Sequence, residues 1–181
     1  KEGHIPFTSD EMITLWNNVE NIIGVDMILI QCYSGWRPQE LYKLKVSDVN
    51  IEDMSFVGGM KTEAGTNRKV PIHSKTQELV RKRYNQAIAM KSDFLFTDNG
   101  KPFRYDMYHA LFKQIKTDLH LDEHHRPHDG RTHFVTTAKK YHVDEYAIKY
   151  IVGHKINDLT EKTYTKRKFE WLRSEIEKIK E

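Results

Sequence analysis

The first hydrophobic pattern in the chain has the spacing of an amphipathic helix. Thr8 is a predicted N-cap, and Glu11, three residues later, is its predicted capping-box partner. Apolar residues then recur three and four positions apart, at Met12, Leu15, Trp16, Val19, Ile22 and Ile23. The pattern therefore predicts a helix that begins at Thr8 and ends at Gly24, since glycine is a common helix terminator.

The rest of the pattern predicts a mainly α fold with one small sheet. Helices are predicted over Val25–Tyr33, Pro38–Leu44, Ser74–Met90, Arg104–Leu119, Asp129–Tyr141, Asp144–Val152, Asp158–Tyr164 and Phe169–Lys180. Three short antiparallel strands are predicted over Val46–Ile51, Ser55–Met60 and Arg68–Ile72, with a turn at 63–67 and a loop at 98–100. No segment resembles a linker, so residues 1–181 are predicted to form a single domain.

Composition narrows the class of protein and its location. Hydrophobic residues make up 38% of the chain and charged residues 30%, and no apolar run approaches the roughly 20 residues of a membrane span. No signal peptide is visible, and the single Cys32 has no partner for an internal disulfide. These features predict a soluble protein of a reducing cytoplasm, with no membrane association.

The distribution of charge says more than its total. The net charge is only +3, yet seven basic and two acidic residues lie between Lys61 and Tyr84. Such a stretch is either an ordinary solvated face or a surface that meets phosphates.

A histidine-rich stretch, residues 124–134, allows three interpretations. A metal site is disfavoured because the spacing matches no zinc pattern and no second cysteine exists. His120, His124 and His125 are expected to be solvated. His128 and Arg131, by contrast, share one face at a predicted helix N-terminus, which favours anions. They therefore predict a phosphate site if matching groups recur elsewhere.

Matching groups do recur along the chain. Arg37 follows the predicted buried helix in SGWRPQEL, with Glu40 three residues later, either orienting Arg37 or pairing with it on a helix surface. Lys61 enters the predicted hairpin turn. His154 follows a glycine in YIVGHK, and Tyr164 comes ten residues later.

These residues, in this order, resemble the catalytic domain of the tyrosine recombinases, the phage-integrase family. The family pattern has an Arg in G-x-R-x-x-E-L, a Lys in a β-hairpin, H-x-x-R, then G-H, then a nucleophilic Tyr. Six residues fill these places, at Arg37, Lys61, His128, Arg131, His154 and Tyr164. The resemblance covers the chain from about Thr8 onward. One departure is the exchange of two residues after Arg131, where Thr132 and His133 stand in place of His and Thr.

The resemblance implies a set of chemical roles. Tyr164 would attack a DNA phosphate to form a 3′-phosphotyrosine, with His128 as general base and Lys61 as general acid. The two arginines, Arg37 and Arg131, would hold the phosphate oxygens, and His154 would donate a further hydrogen bond. No metal, nucleotide or other cofactor is needed for this exchange of phosphodiesters. Further contacts to DNA are predicted at Arg68, Lys69, Lys166 and Arg167.

The resemblance also implies partners and a biological setting. We expect double-stranded DNA as substrate, a homo-tetramer on DNA, a possible directionality factor and a place at the bacterial nucleoid. The apolar stripe of residues 168–181 would dock on a neighbouring subunit or pack on its own domain. The chain is expected to be a fragment that lacks an N-terminal DNA-clamping domain. Integration of a mobile element is the favoured role, and the alternatives are chromosome-dimer resolution, a type IB topoisomerase and a DNA-binding module without catalysis.

Overall fold

The computed structural model describes residues 3–60, 65–156 and 169–181. The helices are α1 (Ser9–Asn18), α2 (Val25–Cys32), α3 (Pro38–Tyr42), α4 (Gln77–Ala89), α5 (Tyr105–Asp118), α6 (Asp129–Lys140), α7 (Glu145–Val152) and α8 (Phe169–Ile176). The strands are β1 (Val49–Asn50), β2 (Ser55–Gly58), β3 (Arg68–Pro71), β4 (Thr97–Asp98) and β5 (Lys101–Pro102). Short 3₁₀ turns occupy Val46–Asp48 and Ser74–Thr76. The predicted mainly α fold with a three-stranded antiparallel sheet is confirmed.

The first helix begins as predicted and ends earlier than predicted. The capping box at Thr8 and Glu11 is present in both directions. The prediction of an end at Gly24 was wrong, because the carbonyl of Asn18 accepts from the N–H groups of Asn21 and Ile22 in a turn. Gly24 instead precedes α2 with a φ of +94°, a left-handed conformation that favours glycine.

Helix α2 forms the centre of the core. Almost every one of its side chains is buried, which explains why its sequence is apolar on most sides rather than along one stripe. It packs against α1, α3, α4 and α6. The segment that leaves α2 and leads into α3 therefore starts from the packed core of the molecule.

The three-stranded sheet has the order β1-β2-β3 and is antiparallel throughout. The predicted first strand is shorter than expected, because residues 46–48 form a 3₁₀ turn in which the Asp48 carboxylate accepts from the N–H of Lys45. Gly58 pairs with Arg68 at the end of the β2–β3 ladder that leads into the hairpin turn. Residues 61–64 of that turn lie outside the described residues.

The expected cap of α4 was wrong, and the expected loop at 98–100 lies within a hairpin that was not predicted. Ser74 does not cap α4, because its hydroxyl bonds the Glu177 carboxylate and a 3₁₀ turn precedes the helix. The predicted loop around residues 98–100 is the turn of a short hairpin, β4–β5, in which Asn99 and Gly100 both take positive φ. Tight turns of this kind accept Asn-Gly readily.

The last helix, α8, packs on its own domain. Leu172, Ile176 and Ile179 are buried, and Arg173 donates to backbone carbonyls of Asp53, Met54 and Ile72. The apolar stripe thus covers the sheet in this structure, and docking on a neighbouring subunit stays a prediction. The short helix predicted over 158–164 lies outside the described residues. No helix in the described parts of the chain is long and apolar enough to cross a bilayer.

Candidate active site

Arg37 lies at the junction between the buried α2 and the short α3. Its backbone is extended and Pro38 occupies the first position of α3, so the chain turns sharply here. The Arg37 N–H donates to Glu40 Oε2 at 3.0 Å, and its Nη1 donates to Glu40 Oε1 at 3.1 Å. Glu40 therefore fixes both the backbone and the side chain of the half-buried Arg37.

Glu40 is buried between two guanidinium groups. Its Oε2 accepts from Arg68 Nη2 at 2.8 Å, and its Oε1 accepts from Arg68 Nη1 at 3.3 Å as well as from Arg37. Burial acts to raise the pKa of the Glu40 carboxyl, but the bonds and charges of Arg68, and then of Arg37, outweigh it and lower that pKa. Pairing on an exposed helix surface is excluded, because Glu40 is only 3% exposed.

Arg68 does not occupy the surface position that a DNA contact requires. Its side chain is 1% exposed, so the prediction that it contacts DNA was wrong. Besides Glu40, its Nε donates to the Ile151 carbonyl and its Nη1 to the Gly65 carbonyl, both at 2.7 Å, and its guanidinium lies 4.3 Å from the centre of the Trp36 ring. We call Arg37, Glu40 and Arg68 the arginine cluster.

Two glycines leave room for the Arg68 guanidinium. A Cβ on Gly59 would lie 2.6 Å from Arg68 Nη1, and one on Gly153 would lie 2.7 Å from it. Both glycines have positive φ, so a side chain would also strain the backbone. Arg68 therefore joins the base of the hairpin that carries Lys61 to the turn that carries His154.

Arg131 projects from the first turn of α6 and is held by the segment before α3. Its Nη1 donates to the Gly35 carbonyl at 3.0 Å, and the side chain is largely buried. Burial, together with the positive charge of Arg37, lowers the pKa of Arg131 to about 10. The guanidinium still carries its charge at neutral pH.

His128 lies at the N-cap of α6, one turn before Arg131. Burial, and then the charges of His4, Arg131 and Arg37, lower the pKa of His128 to about 4. The imidazole is therefore neutral at pH 7 and has a ring nitrogen that accepts a proton. A general base requires this state.

His154 follows Gly153, which ends α7 in the left-handed conformation. Its side chain is exposed, and burial of part of the ring together with the charges of Arg131, Arg37 and Arg68 lowers its pKa. The structure thus places both His128 and His154 within electrostatic range of Arg37 and Arg131, with the four residues coming from three separate segments. Lys61 and Tyr164 lie outside the described residues.

A second buried cluster lies beside His128, and the sequence did not predict it. The expectation that His125 is solvated was wrong, because its side chain is fully buried. Its Nδ1 lies 2.8 Å from Asp129 Oδ2, and its Nε2 lies 3.0 Å from each oxygen of Glu11. The other Asp129 oxygen lies 3.1 Å from Nδ1 of His4. We call His4, Glu11, His125 and Asp129 the histidine cluster.

His133 stands at the departure from the family pattern, and the groups that act on its ring belong to Phe7, Glu181, Glu11 and His125. It is buried beside Phe7, with the ring centres 6.0 Å apart, and burial lowers its pKa. The nearby Thr132 is half-buried. His124 and His120 are exposed, as expected.

Of the remaining predicted DNA contacts, only Lys69 lies within the part of the chain that the structure describes. Lys69 is partly exposed, forms a 2.6 Å ion pair with Asp53 and lies over the Phe169 ring. Lys166 and Arg167 lie outside the described residues. Among the described residues, no group of three or more His, Cys, Asp and Glu side chains is arranged to hold a metal ion.

The fold is that of the tyrosine recombinase catalytic domain. The chain superposes with a TM-score of 0.74 and 21% identity on the Tn1549 transposon integrase in complex with circular intermediate DNA, covering 97% of this chain and 66% of that one. It superposes on the integrase of mycobacterium phage Brujita with a TM-score of 0.72 and 16% identity, over 99% and 59% of the two chains.

The chain belongs to the phage integrase family, whose model matches residues 7–170. It is 30% identical over 177 residues to the tyrosine recombinase XerA of Pyrococcus horikoshii, in an alignment that covers 96% of this chain and 60% of that protein. The chain therefore spans about three fifths of the length of this curated relative.

Proposed function

We propose that the chain is the catalytic part of a site-specific DNA recombinase that cleaves and rejoins double-stranded DNA through a 3′-phosphotyrosine. One observation carries the proposal. Arg37, the α6 residues His128 and Arg131, and His154 come from three separate segments, yet the charges of Arg37 and Arg131 act on both imidazoles. Two guanidinium groups with two imidazoles match the needs of a phosphodiester whose charge grows in the transition state.

The described residues have separate tasks in this reaction. Arg37 and Arg131 bind the non-bridging oxygens of the scissile phosphate, and His154 donates a further hydrogen bond to it. Neutral His128 accepts the phenolic proton of Tyr164, whose oxygen attacks phosphorus. The bond from phosphorus to the 5′ oxygen breaks, and Lys61 supplies the proton that this oxygen takes. Attack by a 5′-hydroxyl reverses each step, and when that hydroxyl belongs to another strand the two strands recombine.

The test is the trapping of a covalent adduct. Incubation with a nicked suicide substrate in EDTA should give a protein–DNA adduct that survives denaturation. Tyr164→Phe should abolish the adduct, because the attacking oxygen is lost, while Tyr105→Phe on the exposed face of α5 should retain it. Absence of an adduct for the unaltered protein on every substrate would contradict the proposal and favour a DNA-binding module without catalysis.

Two enzymatic alternatives share the covalent step and differ in the steps after cleavage. A type IB topoisomerase would relax a supercoiled plasmid as a monomer, without exchange of strands between two duplexes. A recombinase would join strands from two labelled duplexes and assemble as a tetramer on them. The exchange assay with two differently labelled substrates therefore decides between these two enzymes.

Integration of a mobile element is the favoured biological role. It is supported by the likeness to the Tn1549 transposon integrase and the Brujita phage integrase, whereas the likeness to XerA keeps chromosome-dimer resolution as the alternative. In the cell we expect the protein at the bacterial nucleoid, with an accessory directionality factor as a further partner. Sequencing of the DNA covalently trapped on Tyr164 in the source cell separates the roles, because element ends and one chromosomal site give different maps.

A further inference from the structure

His4 lies against the ring of His128, far from it in sequence. The two ring centres are 4.3 Å apart and the ring planes differ by 28°, which is a stacked arrangement. Among the described residues, no side chain forms a hydrogen bond to the imidazole of His128. Stacking on His4 is therefore a specific ring contact that orients the His128 imidazole.

The ring of His4 is itself anchored. Its Nδ1 donates to Asp129 Oδ1 at 3.1 Å, and the Asp129 side chain is only 1% exposed. A buried carboxylate needs hydrogen-bond donors, and Asp129 Oδ2 also accepts from the N–H of Arg126 at 3.0 Å and from Nδ1 of His125 at 2.8 Å. Asp129 therefore holds the His4 ring in place, and the His4 ring in turn contacts the ring of His128.

The rest of the histidine cluster holds Asp129 in place. His125 lies within hydrogen-bonding distance of carboxylates at both ring nitrogens, and an imidazole that donates from both nitrogens is protonated. Burial acts to lower the pKa of His125, but the bonds to Asp129 and Glu11 outweigh it and raise that pKa. Glu11 also accepts from the N–H of Thr8, so the start of α1 and the start of α6 are joined here.

We propose that His4 is a positioning residue for His128. Its ring, anchored on Asp129, holds the His128 imidazole in the orientation and the partly buried environment in which it takes the proton of the attacking tyrosine. The inference rests on the proposed function for the role of His128, whereas the contact between the two rings stands apart from it. The charged groups that act on His128 are His4 from the N-terminal segment, Asp129 and Arg131 from α6, and Arg37 from the segment before α3.

The test combines a measurement on the free protein with one on the reaction. Side-chain NMR of the whole chain gives the titration of His128 in the unaltered protein, in His4→Ala and in His4→Phe. His4→Ala should move the His128 midpoint from about 4 toward its ordinary value of 6.5, because the ring gains solvent and loses a positive neighbour. His4→Phe keeps a ring but loses the bond to Asp129, and should give a smaller shift.

The cleavage rate should follow the titration. If the His128 pKa returns to 6.5, only about a quarter of the imidazole is neutral at pH 6, so adduct formation by His4→Ala should fall roughly fourfold there and little at pH 8. His109→Ala, a partly exposed histidine of α5, is the matched control and should change neither curve. Thermal unfolding checks that each variant is folded.

The outcomes separate this inference from the proposed function. An unchanged His128 titration in folded His4→Ala overturns the inference. A shifted titration also overturns it if the rate of adduct formation at pH 6 stays the same as in the unaltered protein. If the unaltered protein forms no adduct while the titration still moves, the proposed function fails, and with it the catalytic part of the inference.

Discussion

The arginine cluster and the histidine cluster perform the same structural task with different chemistry. Each holds a candidate catalytic side chain through a buried carboxylate, which is Glu40 for Arg37 and Asp129 for the His4–His128 pair. In the arginine cluster the partners of the carboxylate are guanidinium groups, whose charge does not change in the physiological range of pH. In the histidine cluster the partners are imidazoles, whose charge does.

Because of this difference, only the histidine side of the site is expected to respond to pH. The geometry around Arg37 should be the same at pH 6 and pH 9, since its carboxylate pKa is lowered and its cations stay charged. The geometry around His128 should loosen at high pH, when His125 loses the proton that it shares with Asp129 and Glu11. A rise in pH is therefore expected to disturb the positioning of the base His128 while it leaves the binding of the phosphate by Arg37 unchanged.

The largest effect should come from removal of the carboxylate in the arginine cluster. Glu40→Ala leaves Arg68, with a side chain 1% exposed, as a buried cation without its carboxylate partner. Loss of one member of a buried pair costs about 3–5 kcal/mol of the free energy of unfolding. Chemical denaturation measures it, and Glu78→Ala, which removes an exposed pair with Arg81, should cost under about 0.5 kcal/mol. A loss for Glu40→Ala as small as that of the control would contradict the role given to Arg68.

The corresponding change in the histidine cluster should cost less. Asp129→Asn keeps the shape of the side chain, and Glu11 still accepts from His125, so about 1–3 kcal/mol is expected at pH 6. Asp122→Asn, at an exposed carboxylate bonded to exposed His124, is the matched control. If Asp129→Asn lowered the free energy of unfolding more than Glu40→Ala did under the same denaturation conditions, the expected order of the two clusters would be wrong.

The third prediction concerns the dependence of stability on pH. The pKa of His125 is raised in the folded state, so its stabilising contribution is complete below its unfolded pKa and is lost as pH rises through the folded pKa. The pKa values of Glu11 and Asp129 are lowered in the folded state, so the stabilising contribution of these two carboxylates is lost only as pH falls through the acid range.

The measurement is the free energy of unfolding of the unaltered protein minus that of His125→Gln, followed from pH 6 to pH 9. This difference should be smaller than the cost of Asp129→Asn at pH 6 and should shrink further as pH rises. The same series with Glu40→Ala should give a flat difference. A flat difference for His125→Gln would show that the pKa of His125 is the same in the folded and unfolded states, and it would remove the contrast between the clusters.

The two clusters also show which parts of the site can be predicted from the sequence and which cannot. Arg37, His128, Arg131 and His154 stand in short motifs at fixed spacing, and such local patterns are visible in a sequence. The sequence suggests DNA contact for Arg68 and solvent for His125 because both stand in polar stretches, where exposure is the ordinary expectation. Their burial depends on partners more than 25 residues away, at Glu40 and at Glu11, and only the tertiary fold reveals those pairs.

The smallest effect on stability should come from Lys69, the residue beside Arg68 on β3. Its ion pair with Asp53 is about two fifths exposed, so Lys69→Ala should cost under about 1 kcal/mol. If Lys69 contacts a DNA phosphate, as predicted from the sequence, the same change should weaken binding to every DNA sequence alike. It should also reduce the slope of log affinity against log salt by about one. The control is Lys82→Ala, which removes an exposed lysine of α4 that pairs with Glu20. Equal affinity and equal salt slopes for the two variants would show that the basic edge of β3 ends at the buried Arg68 and that Lys69 serves only its own ion pair.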